Sequence, residues 1–518
     1  VHIRESQRAA QENYRAGIVQ KMDEVYSAKL KDKSDNVDAL FMLGVRSARS
    51  GNFDLAVKYF REAINIDPAH IGTHYNLGNV YRDKGQIEEA FSCYQKVLQL
   101  DPSYVDAYVN MGIIFRMKRR LSEEMMCYRK AIQLNPASAE AFFNLGHHFF
   151  EKGQFDKALV CYEKVTQLKP DFVNACMNLG LVLRIEDRNE EALSCYQKAI
   201  HLNPGDAGAH WNLSNVLLLI GAYEEGWKEF EWFRKTDDCA RRQRSFSQPL
   251  WDGSDIRGRT ILLHAEEGFG DTIQFIRYAP LVAERGAKVI VESQEELTSL
   301  LRNIKGVWHV LSRGGDLPHF DFHCPLMSLP RIFKTTLDNI PVNIPYLFAD
   351  RMLIQEFHDK IRNDGAELRV GLVWSGGGLP FKKSCSIEIF SPLADLPGIT
   401  FYSLQKGAPA EQAKNPPKGM MLTDYTNEFS DFSVTAAFIE NLDLIITVDT
   451  AIAHLAGALG KPVWVLLPFV PDWRWMLKRE DSPWYPTMRL FRQPSLGDWK
   501  SAINKLVCEL EEFKKEKA

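Results

Sequence analysis

A period of 34 residues runs through the first half of this chain and constrains its fold more than any other feature. Proline recurs at Pro68, Pro102, Pro136, Pro170 and Pro204, and glycine at Gly44, Gly78, Gly112, Gly146 and Gly180, with Ser214 in the last unit. Within one unit Leu77, Gly78, Tyr81, Gly85, Ala90, Tyr94 and Pro102 fall where a helix-turn-helix pair needs them. The glycine permits close helix approach, Ala90 fits a narrow crossing, and Pro102 closes the second helix. Four of the nine cysteines, Cys93, Cys127, Cys161 and Cys195, share the 34-residue spacing and so occupy one slot of the repeat. The others form no CxxC pair and no Cys/His metal spacing, which leaves buried thiols in a reducing compartment as the better reading.

A repeat of this length and pattern is that of tetratricopeptide repeats. Six units are expected over 37–240, preceded by a degenerate capping helix pair over 1–36, and together they predict an α-superhelical array. Such arrays expose a long groove, which makes them binding devices. Asn76, Asn110, Asn144, Asn178 and Asn212 share one register on the first helix of successive units. An amide both donates and accepts, so a ladder of amides can hold an extended backbone largely regardless of its sequence. The competing reading is that Asn-Leu-Gly is simply common in these repeats. The ladder resembles that of the protein O-linked N-acetylglucosamine transferases, where it lines the superhelix and grips acceptor polypeptide.

Composition narrows the function classes only modestly. With 63 Lys and Arg against 67 Asp and Glu, the net charge of −4 supplies no global field to gather nucleic acid or anionic lipid. No apolar run reaches the length of a membrane span, and the opening Val-His-Ile-Arg-Glu lacks a signal peptide's apolar core. A cytoplasmic protein with no nucleic-acid partner and no membrane span is therefore expected.

Around Ser245 to Arg259 the repeat register is lost and Pro, Gly and Asp accumulate, so 241–258 reads as a linker. Beyond it, β-rich apolar runs alternate with amphipathic stretches: Thr260 to His264, a helix from Thr272, Lys288 to Val291, and a helix near Glu295 to Arg302. The rhythm restarts with Leu368 to Trp374, Thr400 to Leu404, Leu444 to Val448 and Pro462 to Leu467. This predicts an α/β region of two Rossmann-like lobes, over 259–350 and 366–498, with ligands bound where the strands end. A terminal helix over 499–518 is expected to pack back on the first lobe.

Three strand-end loops carry the candidate chemistry. Gly268-Phe269-Gly270-Asp271 follows the first strand and opens a helix, so its glycines allow a ligand close to the backbone. Asp271 is read either as a helix cap or as a base facing the cleft, and the two roles are compatible. A dinucleotide fingerprint is disfavoured because the third glycine is missing. Asp449-Thr450-Ala451, with His454 one turn on, joins a buried strand to a helix whose first N–H groups suit a diphosphate. There Asp449 and Thr450 would address hydroxyls and His454 phosphate or sugar; the alternative is a capped helix with His454 as a hydrogen-bonded core residue. Ser375, in the loop Trp374-Ser375-Gly376-Gly377-Gly378, is followed closely by Lys382 and Lys383, a geometry that suits phosphate, or else a surface loop with two solvated lysines. Gln405 and Lys406 end the next strand on the same edge, within reach of a base or ribose.

Gly270-Asp271, Trp374-Ser375-Gly376, Ser403-Leu404-Gln405 and Asp449-Thr450-Ala451-x-Ala453-His454, in that order, resemble the ADP-heptose:lipopolysaccharide heptosyltransferase family. The likeness is greatest to its TPR-fused bacterial members, which share Pro468 to Trp475 and Asp481 to Pro486. The resemblance implies an inverting glycosyltransferase of the GT-B fold that requires no metal and no cofactor, with a nucleotide diphospho-sugar as donor substrate. Asp271 matches the family's base, and Asp449, Thr450 and His454 match its donor-binding motif. The loop Gly377 to Lys383 departs from the family pattern, which leaves open whether Lys382 or Lys383 meets the diphosphate. The expected function is transfer of a hexosyl or heptosyl group to a hydroxyl, on a protein or peptide presented by the groove. His264 is a weaker rival base. The main alternative is a peptide-binding scaffold whose transferase-like region is inactive, and a Rossmann oxidoreductase is a third.

Overall fold

The computed structural model describes residues 36–236, 244, 246–266, 268–377 and 383–517. The expected cap therefore lies outside the described residues, Asn36 excepted, and so does Lys382. The chain divides between Glu186 and Asp187 into two compact units.

The first unit is helical throughout its described length: α1 (Asn36–Arg49), α2 (Phe53–Ile66), α3 (Ile71–Asp83), α4 (Ile87–Leu100), α5 (Val105–Met117), α6 (Leu121–Leu134), α7 (Ala139–Glu151), α8 (Phe155–Leu168) and α9 (Val173–Ile185). Each pair is locked by the repeat's own residues. A Cβ on Gly78 of α3 would stand 2.7 Å from Tyr94 of α4, and one on Gly146 of α7 would stand 2.8 Å from Tyr162 of α8, so the aromatic ring fills the space that glycine leaves. Tyr94, Tyr128 and Tyr162 are fully buried there. Each second helix ends at Asp67, Asp101, Asn135 or Lys169, whose N–H closes the last turn, and the next residue is the periodic proline.

One repeat departs from the apolar rule. Ala56, Ala90 and Ala158 are fully buried at the helix crossing, but Glu124 occupies that register in α6 and is equally buried. Its Oε2 meets Nδ1 of His148 at 2.9 Å, and His148 stands where neighbouring repeats carry Val80, Ile114 and Val182.

The second unit begins with three more helices of the array, α10 (Asn189–Leu202), α11 (Ala207–Leu219) and α12 (Tyr223–Phe230). The linker expected at 241–258 is thus not where the compact units part. The reason is an aromatic seam: Tyr223, Trp227 and Phe230 of α12 are buried in one core with Phe275, Trp473 and Trp484. Trp227 also donates its indole N–H to the Thr335 carbonyl at 3.0 Å.

Two parallel sheets follow. The first has strand order β3-β2-β1-β4, from β1 (Thr260–His264), β2 (Lys288–Ser293), β3 (Val307–Ser312) and β4 (Phe322–Pro325). The second has order β10-β9-β8-β5-β6-β7, from β5 (Leu368–Val373), β6 (Ile399–Ser403), β7 (Leu422–Asp424), β8 (Leu444–Val448), β9 (Val463–Leu467) and β10 (Met488–Arg492). In register, Thr260 lies opposite Lys288 and Val370 opposite both Phe401 and Leu444. The central strands are apolar on both faces, as a sheet covered on both sides demands. Around them lie α13 (Phe269–Phe275), α14 (Ala279–Glu284), α15 (Glu295–Leu301), α16 (Leu329–Ile332), α17 (Arg351–Ile361), α18 (Phe432–Glu440), α19 (Ala451–Ala458) and α20 (Trp499–Lys517). The terminal helix α20 corrects one expectation. Its buried face, Ala502, Ile503, Leu506 and Leu510, packs with Leu368, Leu372, Ile446, Trp464 and Phe491 of the second sheet, not on the first lobe.

Candidate active site

The candidate residues sit where strands end. Asp271 follows β1, Ser375 follows β5, Gln405 follows β6 and Asp449 follows β8, so parallel strand direction alone brings four loops to two carboxyl edges. The two edges meet. A Cβ on Gly270, in the first turn of α13, would stand 2.8 Å from the His454 ring and 3.6 Å from the Ala451 Cα of α19. The glycine thus lets the opening turns of α13 and α19 touch.

Asp271 caps its own helix and also faces the other lobe. Its Oδ2 accepts from the Gly268 N–H at 3.3 Å, and its Oδ1 accepts from Arg474 Nη2 at 2.5 Å. The side chain keeps 25% of its exposure, so the carboxylate is not sealed off. Burial raises its proton affinity above the ordinary carboxylate range, against the pull of Arg474.

Across the contact, Lys383 Nζ donates to Asp449 Oδ2 at 2.5 Å. Burial works against the charge on Lys383, but Asp449 and Asp472 outweigh it and the ammonium is held more firmly protonated than usual. Thr450 opens α19 in an extended conformation and its side chain makes no capping bond, so the positive helix end is left facing the loops. Its Oγ1 pairs with Thr447 Oγ1 at 2.9 Å. A Cβ on Gly376 would stand 3.0 Å from Thr450 and 3.1 Å from the Asp449 carbonyl, so the Ser375 loop lies directly against the Asp449-Thr450 turn. Ser375 Oγ bonds Ser384 Oγ at 3.1 Å, which returns the loop toward Lys383.

Gln405, His454 and Lys406 are engaged by the protein itself. Gln405 Oε1 accepts from the Trp374 and Ser375 N–H groups at 3.1 and 2.7 Å, and its Nε2 donates to the Ser375 and Lys406 carbonyls. It staples the loops together. His454 is buried, bonds Tyr485 OH through Nδ1 at 3.0 Å and stacks on Trp475 at 5.5 Å between centroids. Burial, reinforced by Arg474, holds its imidazole well below the ordinary range and therefore neutral. Lys406 donates to the Thr426 and Phe429 carbonyls. His264, the rival base, contacts His323 at 3.2 Å, and burial with that neighbour pushes it down to about 3.

Three charged side chains near these strand ends were not singled out from the sequence. Asp472 and Arg474 follow β9 at the same edge, with Arg474 Nη1 on Asp472 Oδ1 at 2.9 Å. Burial alone would raise the Asp472 carboxyl, yet Arg474 and Lys383 hold it far below the usual range. Glu266, just past β1, has a buried Oε2 that meets no described partner, and burial pushes its carboxyl up to about 7. It lines a small cavity with Phe230, Arg234, Met327 and Ser328. An acid directly after the first strand was the available signal.

In the array, the asparagines are not equivalent. Asn76 and Asn144 donate to carbonyls one turn back, those of Gly72 and Glu140, at 2.8 and 2.9 Å. Asn178 reaches Tyr162 OH at 3.4 Å, and Asn212 is half-buried. Asn110 is buried and engaged at both ends, donating to Tyr75 OH and Asn79 and accepting from Arg82 at 2.6 Å. The described cysteines are free thiols. Among the described residues no helix is long and apolar enough to cross a membrane.

Comparison with known proteins bears on the array. Models of the tetratricopeptide repeat match residues 37–70, 105–138 and 139–172, and a further TPR repeat model matches 78–118 and 180–221. Protein FlbA of Caulobacter vibrioides is 23% identical over 327 residues, a stretch covering 57% of this chain and 54% of FlbA. The chain thus spans about half the length of that curated relative. Among solved structures, MamA is 28% identical, covering 32% of this chain and 96% of its own, with a TM-score of 0.29. PilF of Pseudomonas aeruginosa is 20% identical, covering 40% and 94%, with a TM-score of 0.37. YrrB, described as a TPR protein with an unusual peptide-binding site, is 22% identical, covering 36% and 96%, with a TM-score of 0.29. The matching repeat models show that the first part of this chain is built of tetratricopeptide repeats.

Proposed function

We propose that the second unit transfers a sugar, with inversion, from a nucleotide diphospho-sugar to a hydroxyl on a protein or peptide held by the repeats. The supporting observation is the meeting of Asp271 on one strand edge with the Asp449-Thr450 turn, Lys383 and the uncapped end of α19 on the other. In this reading the two sheets are the lobes of a GT-B enzyme.

The chemistry follows from the charges. The acceptor hydroxyl oxygen attacks the anomeric carbon as Asp271 takes its proton, and the bond from that carbon to the diphosphate oxygen breaks, its electron pair leaving with the nucleoside diphosphate. Lys383 and the first N–H groups of α19 neutralise the leaving group without calling on a metal. Asp449 holds Lys383 in readiness, and Ser375, fixed by Gln405 through its loop, completes the cradle. In the repeats, Asn76 and Asn144 keep Oδ1 without a partner among the described residues, which suits an acceptor backbone N–H.

Incubating the full chain with ADP-, UDP-, GDP- and dTDP-sugars and candidate proteins, followed by intact-mass measurement, should reveal one sugar's mass added per acceptor site. Asp271→Asn should lower that rate about 10²-fold to 10⁴-fold while still binding donor. A scaffold without activity is favoured by one feature, the mutual neutralisation of Lys383 with Asp449 and of Arg474 with Asp271. It requires that neither protein transfer or hydrolyse any donor.

A further inference from the structure

The segment Pro468 to Trp475 follows β9 and holds none of the roles assigned above. Its Arg474 crosses from the second lobe to α13 of the first. Nη2 meets Asp271 Oδ1 at 2.5 Å, Nε meets Gln274 Oε1 at 2.7 Å, and Nη1 meets Asp472 Oδ1 at 2.9 Å. The guanidinium lies 4.3 Å from the Trp473 ring centroid, and only 10% of the side chain is exposed. Such a planar fork, clamped at three nitrogens and stacked on an indole, has one orientation.

Asp472 already supplies a counter-ion two residues away, and its backbone position is fixed by the turn it caps. Neutralising Arg474 therefore does not require Asp271. The second contact joins residues 203 positions apart in the chain, and its effect falls on Asp271. We propose that Arg474 is a positioning residue for Asp271: anchored by Asp472 and Gln274, its guanidinium aims the carboxylate for proton abstraction and supplies the positive charge beside it. This rests on the reading of Asp271 as the base.

The groups around Asp271 give the sign. Arg474 and Lys383 from the second lobe, and the Gly268 N–H, favour the carboxylate; burial, Asp472 and Glu266 oppose it, and the His454 ring against Gly270 is neutral. Removing the guanidinium takes away the largest influence that favours the carboxylate, so protonation of Asp271 must move to still higher pH.

Infrared titration of the full chain tests this, with the Asp271 carboxyl band identified by subtraction of Asp271→Asn. In Arg474→Gln the band should titrate about one pH unit or more above the unmodified protein, and Arg474→Lys should recover most of the difference. If Arg474→Gln does not fold, Gln274→Leu, which loosens the fork and keeps both charges, should give a smaller shift of the same sign. Transfer by the folded variants should show a kcat lower by about tenfold or more, with donor KM nearly unchanged. An unshifted titration in every folded variant overturns the proposal. Failure of the unmodified protein to transfer any sugar would instead count against the transferase reading, since the infrared titration does not depend on turnover.

Discussion

Glu124 and His148 replace an alanine and an aliphatic residue at one helix crossing of an otherwise apolar stack. Only one carboxylate oxygen is satisfied there, for Glu124 Oε1 is buried without a described partner. Buried polar pairs of this kind commonly stabilise less than the apolar residues they displace, while breaking one by halves leaves an unpaired group. The double substitution Glu124→Ala with His148→Val should therefore raise the stability of the first unit by about 1–3 kcal/mol, whereas Glu124→Ala alone should lower it by a similar amount. Hydrogen exchange of α6 and α7 would register both signs. At this scale the chain was partly legible. Asp449 directly follows β8 and Asp271 lies in the first turn of the helix after β1, and an acid beside glycine or threonine at such a strand end is what marked both as candidates. Arg474 did not announce itself at the residue level, because its partners Asp271 and Gln274 are about 200 residues distant and only the closing of two sheets joins them.

At the level of elements, the repeat was legible because each position has one steric task. The turn after each first helix requires a left-handed residue, supplied by Gly51 at φ 77°, Gly85 at 74°, Gly153 at 68° and Gly221 at 89°. Arg119 and Asp187 take the same conformation at 56° and 57° with a Cβ in place. Glycine costs nothing there and an L-residue costs about 1 kcal/mol, so Arg119→Gly should stabilise the first unit by about that amount, measured as a rise in its urea midpoint with unchanged slope. The strands at the sheet centres were equally plain, since β1 and β8 fall on the apolar runs that mark them. The outer strands were not. In β3, Trp308 and His309 are exposed, and β7 has only three residues, so neither carries the continuous apolar signature of a covered strand.

On the scale of the whole molecule, the sequence marks a change of composition near Ser245, whereas the compact units part near Asp187. A change of composition records where one pattern stops. Cohesion follows buried contact instead, and α12 shares its aromatic core with residues far beyond the linker. Truncation of Trp227, which is 2% exposed, should therefore cost about 3–5 kcal/mol of the second unit's stability, and calorimetry of Trp227→Ala should show that unit's transition lowered while the first unit's is unmoved. The same packing sets the terms on which the molecule can be divided. Anyone who prepares the two sheets alone, cutting at the composition change, removes the ring that plugs a socket of Phe275, Trp473 and Trp484 and leaves that oily hollow wet. Such a piece should clump or melt early, and Arg474, which is Trp473's neighbour in the chain, would lose its alignment with it; a stable second half must keep the final helices of the array attached.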